Sequence, residues 1–184
     1  MENPRPPRVP GSHVPRLAHA DSSFLADCLA RIQITPGGLA LDLPSGAGRH
    51  MALLRTSGYE VVAADLDVRL LRLVSDAAPG ALRVVLDATK ALPFAPGSFD
   101  LVVSIHPVIV SFLADVPGLL RPGGHLVFET FGAQGKNSRE LPQAGDIAFA
   151  VVPLKPIRYL EKPTRGMPDR VTVKALFQRQ AEPG

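Results

Sequence analysis

Cysteine and large aromatic side chains are scarce in this chain of 184 residues. Cys28 is the one cysteine, so the sequence excludes an intrachain disulfide and a cysteine-based metal site, and it suits a reducing compartment. With no tryptophan and two tyrosines, few rings are available for bases to stack on, and the 20 lysines and arginines are scattered. We therefore expect neither a metal site nor a nucleic-acid partner, despite the formal net charge of +3.

Long apolar runs are also missing. The longest candidate, residues 101–113, is interrupted by Ser104, His106 and Pro107 and falls short of the roughly 18 apolar residues that indicate a membrane-spanning helix. Residues 1–16 are rich in proline and arginine and lack the apolar segment of a signal peptide. These absences predict a cytoplasmic protein without a membrane partner.

The overall composition is that of one globular domain. Hydrophobic residues make up 46% of the chain and charged residues 20%, which provides enough apolar area for a single buried core. Five prolines among residues 1–16 deny that segment regular backbone hydrogen bonding. We expect residues 1–16 to form a flexible proline-rich arm and residues 17–184 to form one domain.

Beyond the arm, short apolar strands alternate with amphipathic helices, a pattern typical of a sheet with helices on both faces. A final pair of β-like runs has no helix between its members, so it can only be an antiparallel hairpin. The sequence predicts an α/β fold with a Rossmann-like, doubly wound, mostly parallel seven-stranded sheet and a C-terminal antiparallel hairpin. The predicted helices span 19–34 (behind the capping candidate Asp21), 46–56, 67–77 and 110–120; the predicted strands span 39–43, 60–65, 81–86, 99–105, 125–131, 157–160 and 170–178, with an irregular stretch over 87–98 and a helix-ending Arg121-Pro122-Gly123-Gly124.

The loop after the first predicted strand, residues 41–50, carries Gly46 and Gly48. Glycines there let the backbone approach a ligand, and the start of the predicted helix behind them offers free N–H groups. A tight turn that binds nothing explains this feature equally well when it is taken alone.

Two carboxylates end the next two predicted strands. Asp65 follows Gly46 by nineteen residues, a position from which an acidic side chain accepts hydrogen bonds from ribose hydroxyls. Asp87 ends the third strand and precedes Ala88. The alternative for Asp65 is that it caps the following helix, and the alternative for Asp87 is that it is a turn residue. Both acids at successive strand ends, next to a glycine loop, favour a ligand site.

Four segments, 41–50, 61–67, 84–104 and 120–131, together resemble the motifs of class I S-adenosylmethionine-dependent methyltransferases in order and spacing. The resemblance implies S-adenosylmethionine as cofactor, with its methionine part at the glycine loop. It also implies that the acid after the second strand holds the ribose, while the acid after the third strand and the next backbone N–H meet the adenine. The implied cofactor-binding residues are Asp42, Ser45, Gly46, Gly48, Arg49, Asp65, Leu66, Asp87, Ala88 and Ser104.

Within that family, segments 41–50 and 129–142 look most similar to small single-domain bacterial enzymes of the tellurite and thiopurine detoxification group. One departure is Pro44, where the family usually has glycine. Because proline fixes φ near −65°, the turn before Gly46 must form without a positive φ at residue 44.

Two other function classes remain open on the sequence. A dinucleotide-binding oxidoreductase shares the sheet and the glycine loop. However, Met51 stands where the third glycine of such a loop would allow close helix packing, and the oxidoreductase hypothesis gives the Asp87 loop no role. A protein that binds the cofactor without turnover would keep all the motifs named above.

Catalysis needs little from the protein if the methyl group arrives activated, so a dedicated base need not exist. His106, after the fourth strand, is the best-placed acceptor-site candidate, with a histidine that merely orders its turn as the alternative; His50 is a weaker candidate. Arg139 and Glu140 are further candidates for acceptor contacts, in a predicted lid over 132–142, although a solvated helix start explains them equally well. We expect a small-molecule acceptor and a monomer or homodimer.

Overall fold

The computed structural model describes residues 22–107, 110–133, 145–164 and 167–181. The predicted arm, the predicted helix start at residues 19–21, and most of the predicted lid with Arg139 and Glu140 lie outside these ranges. None of the helices in the described part of the chain is both long and apolar enough to cross a membrane.

The described residues form one seven-stranded sheet in the order β3-β2-β1-β4-β5-β7-β6. Strands β1 to β5 are parallel neighbours, whereas β7 pairs antiparallel with both β5 and β6. The predicted fold class is confirmed. The strands are β1 (Leu39–Asp42), β2 (Glu60–Asp65), β3 (Leu82–Val85), β4 (Phe99–Ile105), β5 (Leu120–Ala133), β6 (Lys155–Thr164) and β7 (Met167–Gln178).

Helices cover both faces of the sheet because successive side chains of the central strands point to opposite faces and both sets are apolar. In β4, Leu101 and Val103 pack with α1, α2 and α3, while Val102 packs with α4 and α5. All three residues are completely buried. The helices are α1 (Ser23–Leu29), α2 (Met51–Thr56), α3 (Val68–Ala77), α4 (Val116–Leu119) and α5 (Asp146–Ala150).

The first two helices are shorter than predicted. Helix α1 is capped by Ser22, whose hydroxyl accepts a hydrogen bond from the Leu25 N–H, rather than by Asp21. Helix α2 begins at Met51 instead of residue 46, because Gly46 and Gly48 have φ of +55° and +81° and therefore cannot be helical.

The predicted helix over 110–120 is also wrong. It divides into a 3₁₀ turn, Ser111–Ala114, and the short α4, in whose first turn Pro117 lies. Helix α5 had no predicted counterpart, and the terminal hairpin is longer than predicted in both strands.

The segment Arg121-Pro122-Gly123-Gly124 lies within β5 as a bulge, not as a break before it. The ladder with β4 passes from the pair Phe99–Leu120 to the pair Leu101–His125, so four residues bulge opposite Asp100. Arg179 holds this bulge through backbone bonds with Gly123 and Gly124, each 2.8 Å. A Cβ on Gly124 would lie 2.9–3.2 Å from three carbonyl oxygens.

We predict that Gly124→Ala lowers the unfolding free energy by about 1–3 kcal/mol, because the backbone around the new methyl group would have to shift. Gly118→Ala in α4 is the matched control, since its Cβ would meet nothing within 4 Å. It should be neutral or stabilising by up to about 1 kcal/mol, because alanine favours helix. Urea unfolding measures both; equal effects would contradict the bulge packing.

Candidate functional site

The glycine loop, residues 43–50, lies at the carboxyl ends of β1 and β4, where the strand order reverses. Ligands of doubly wound sheets bind at such a switch point. The Leu43 N–H donates to the Val103 carbonyl and the Ser45 N–H to the Ala64 carbonyl, both at 2.9 Å. The loop is therefore anchored to the strands on either side of β1.

Asp65 fixes the loop through its carboxylate. Oδ2 accepts a hydrogen bond of 2.8 Å from the Gly46 N–H, and Oδ1 accepts one of 2.9 Å from the Asp67 N–H. Asp67, not Asp65, caps α3, by accepting from the Arg69 N–H. Asp65 is therefore no helix cap: it joins the end of β2 to the loop that follows β1.

The two glycines have different surroundings. A Cβ on Gly46 would meet nothing within 4 Å, so space is open beside the loop at that residue. A Cβ on Gly48 would lie 3.0 Å from the Met51 side chain and 3.1 Å from that of Val74. Gly48 is therefore required for the packing of the loop against α2 and α3. This packing role of Gly48 adds to the predicted approach of a ligand, which stays a prediction for both glycines.

A cavity of about 310 Å³ adjoins the loop and brings several predicted residues together. It is walled by apolar side chains, and two carboxyl-bearing residues stand among them. Such a slot can accept a flat ring and polar hydroxyl or amino donors at its edge. The lining residues include Asp65, Leu66, Asp87 and Ala88, together with Leu43, Pro44, Leu86, Pro107 and Phe112.

Asp87 already has local partners at the edge of this cavity. Its Oδ1 accepts hydrogen bonds from the backbone N–H and the hydroxyl of Thr89, at 3.0 and 2.6 Å. The Thr89 hydroxyl is the main reason that the pKa of Asp87 is lowered. Oδ2 lies 3.7 Å from the Lys90 ammonium. The plain interpretation of Asp87 as a turn residue therefore describes its local geometry, and its position at the cavity adds to it.

Asp42 and His50 lie buried beneath the loop. His50 Nδ1 is 3.5 Å from Asp42 Oδ2, and both side chains are almost completely inaccessible. Burial raises the pKa of Asp42, and the adjacent His50 imidazole, followed by the charge of Arg49, partly offsets this. Within the described residues, neither carboxylate oxygen has a hydrogen-bond partner, nor do the buried hydroxyls of Ser45 and Ser104. Ser104 lies on the opposite face of the sheet from Asp42, because its neighbour Val103 pairs with Asp42.

His106 lies after β4 with a φ of +57°, a backbone conformation that is costly for a residue with a Cβ. Its ring stacks on Phe131 at 4.9 Å between centroids. Burial lowers the pKa of His106, opposed by the charge of Glu129, whose Oε1 lies 3.9 Å from Nε2. The lowered pKa therefore favours the neutral imidazole.

Glu129 organises this corner of the site and was not among the residues predicted from the sequence. Its carboxylate accepts a hydrogen bond of 2.7 Å from the Ser22 hydroxyl and lies 3.0 Å from the Lys174 ammonium. An acidic residue in the otherwise apolar run of β5 was the available signal, since buried charges are rare unless they are paired.

Residues 41–128 match the family model described as a methyltransferase domain. The uncharacterized methyltransferase sll0829 of Synechocystis sp. is 34% identical over 103 residues, which are 52% of this chain and 48% of that protein. The demethylmenaquinone methyltransferase of Mycolicibacterium vanbaalenii is 37% identical over 101 residues, 52% of this chain and 43% of that protein. This chain spans less than half the length of these two relatives.

The fold is similar to that of geranyl diphosphate methyltransferase in complex with SAM, with a TM-score of 0.71 and 14% identity over 84% of this chain and 83% of that one. It is also similar to the [4+2]-cyclase SpnF, with a TM-score of 0.72 and 11% identity over 86% and 81%. These two likenesses concern the fold alone. The family match over 41–128 agrees with the resemblance to methyltransferases that the sequence motifs indicate; it does not support the narrower resemblance to the tellurite and thiopurine group.

We predict that Asp42→Asn increases the resistance of the protein to urea relative to the wild type, and that this increase is larger at pH 7.5 than at pH 4.5. The folded-state pKa of Asp42 is raised, so the stability associated with its protonated form is present below the unfolded pKa, near 3.8, and is lost as pH rises through the folded pKa. Asparagine carries no charge at either pH, so its relative advantage should grow with pH.

Asp67→Asn is the matched control, because the pKa of this partly exposed carboxyl is lowered to about 2 by the hydrogen bonds that Arg69 donates. Its stabilisation is present above the unfolded pKa and lost as pH falls toward 2, so the control should lose stability at both pH values. A gain from Asp42→Asn that does not change with pH would contradict the buried-carboxyl interpretation.

Proposed function

We propose that this protein is an S-adenosylmethionine-dependent methyltransferase that transfers a methyl group to a small-molecule acceptor by direct displacement. The observation that carries the proposal is the shared cavity, in which Asp65, Asp87 and Ala88 meet beside the glycine loop. The methyltransferase-domain match over the same residues, and the relatives named as methyltransferases, support it.

The residues present fit the cofactor by their chemistry. The apolar cavity with Asp87 and the Ala88 backbone at its edge suits adenine, and the Asp65 carboxylate is within the same cavity to accept from ribose hydroxyls. The open space at Gly46 suits a group lying against the loop. We assign the methionine end to the part of the loop above Asp42 and Ser45, because a buried carboxyl favours a nearby cationic group.

The cofactor supplies an activated methyl group, so the chain has to orient the acceptor and exclude water. Alignment alone is worth about 7–11 kcal/mol in well-oriented reactions, which does not require a dedicated base. We propose His106 as an acceptor-site residue. The lowered pKa of its imidazole, its strained backbone and a buried Nδ1 that has no hydrogen-bond partner among the described residues support a role beyond ordering a turn.

A second candidate is a protein of this fold that binds the cofactor but performs no methyl transfer. The similarity of the fold to that of a [4+2]-cyclase favours retaining this second candidate function, because one fold can host several reactions. The oxidoreductase hypothesis is weaker, because Met51 is fully buried against Gly48 and so fills the space of the third dinucleotide-loop glycine.

Thermal shift with S-adenosylmethionine, S-adenosylhomocysteine and NAD⁺ tests the cofactor assignment. At about one hundred times the dissociation constant, a true ligand adds about 2.7 kcal/mol of stability, which is a shift of several degrees for a domain of this size. We expect the first two compounds to stabilise the protein and NAD⁺ to leave it unchanged. A response to NAD⁺ alone would contradict the proposal.

Methyl transfer is then tested with methyl-labelled S-adenosylmethionine and a fractionated cell extract. We expect label to appear in the small-molecule fraction and not with a heat-inactivated sample. Label in protein or nucleic acid would refute the small-molecule acceptor, while cofactor binding without any label transfer would favour the second candidate.

A further inference from the structure

A second cavity, of about 240 Å³, lies between the start of α1 and the terminal hairpin. It shares no lining residue with the cavity beside the glycine loop. In the hairpin register Lys174 pairs with Leu160 and Thr172 with Lys162, so these side chains project from the same face of the sheet. The lining includes Ser23, Phe24, Arg158, Leu160, Lys162 and Lys174.

Three cationic side chains converge on this cavity. The Arg158 guanidinium and the Lys174 ammonium both lie over the Phe24 ring, at 5.3 and 5.5 Å from its centroid. Lys162 is exposed and has no ion pair in the part of the chain that the structure describes. Gathering like charges is unfavourable unless anions balance them. Among the described residues two carboxylates lie nearby, and one of them, that of Asp27, lines the cavity.

Those two carboxylates leave the balance positive. Asp27 lies 3.9 Å from Arg158, too far for a hydrogen bond, and Glu129 lies 3.0 Å from Lys174. The Arg158 Nη1 atom is buried and has no hydrogen-bond partner among the described residues. Arg158 also lines the cavity, and the planar fork of a guanidinium matches the oxygens of a carboxylate or phosphate.

The cavity is connected to the proposed acceptor site by one side chain. Glu129 contacts Lys174 on one side and lies 3.9 Å from His106 on the other. The Lys174 ammonium of the cavity and the His106 imidazole therefore lie on either side of one side chain, that of Glu129.

We propose that this cavity, lined by Arg158, Lys162 and Lys174, binds an anionic group, a carboxylate or a phosphate, of the methyl acceptor. The acceptor then belongs to the class of small acidic molecules. The assignment to the acceptor rests on the proposed methyltransferase function; the anion site itself does not.

Calorimetric titration with succinate and, separately, with inorganic phosphate tests the site, at low salt and pH 7.5, with and without S-adenosylhomocysteine. The two probes distinguish a carboxylate site from a phosphate site. We expect saturable binding of at least one, weakened about tenfold or more by Arg158→Gln and by Lys162→Gln, because each removes a charge-assisted contact. Lys162 is exposed, so its variant should fold normally.

Lys155→Gln is the matched control, because it removes the same charge from an exposed position of the same strand outside the cavity. It should change probe affinity less than about twofold. Absence of saturable binding by either probe, or equal losses in the control and the cavity variants, would overturn the proposal. Failure of S-adenosylhomocysteine to bind, with anion binding intact, would instead refute the methyltransferase function and leave the anion site standing.

Discussion

The Asp65 carboxylate is the contact on which the geometry of the site depends. By accepting from the Gly46 N–H and the Asp67 N–H, it joins the end of β2, the glycine loop after β1 and the start of α3. The N–H groups of Leu43 and Ser45 bond to backbone carbonyls of the neighbouring strands, whereas the Gly46 N–H bonds to this carboxylate. The same carboxylate lines the cavity. Loop order and the proposed ribose contact therefore depend on one side chain.

Several features of the site are costly to the fold in the described structure. Asp42 is a buried carboxyl without a hydrogen-bond partner among the described residues, and His106 holds a left-handed backbone conformation. Arg158, Lys162 and Lys174 concentrate positive charge around one cavity. These costs cluster at the carboxyl ends of the strands and on the adjoining face of the hairpin, which is where bound ligands could offset them.

The sequence predicted the sheet well because its strands are short apolar runs with clear boundaries. Asp42 and Asp65 end β1 and β2, whereas Asp87 lies two residues beyond the end of β3 rather than at its end, where it was predicted. Helix lengths were predicted poorly, because the positive φ of Gly46 and Gly48 and the position of Pro117 override the apolar periodicity. The packing role of Gly48 depends on Val74, which is distant in sequence.

The corner around Glu129 could not be predicted for a related reason. Its partners Ser22, His106 and Lys174 come from α1, the β4 loop and β7, and only the strand order brings them together. The local sequence of β5 shows an acidic residue, but it does not show which three distant side chains surround that residue in the fold.

The most direct measurement of the central claim is the calorimetric affinity of S-adenosylhomocysteine and of adenosine for the wild type, Asp65→Asn and Asp67→Asn. If Asp65 holds the ribose, the first variant should bind both ligands about ten- to a hundredfold more weakly, since both contain the ribose, and the second should match the wild type. Unchanged affinity in a folded Asp65→Asn protein would contradict the assignment, as would a loss confined to S-adenosylhomocysteine.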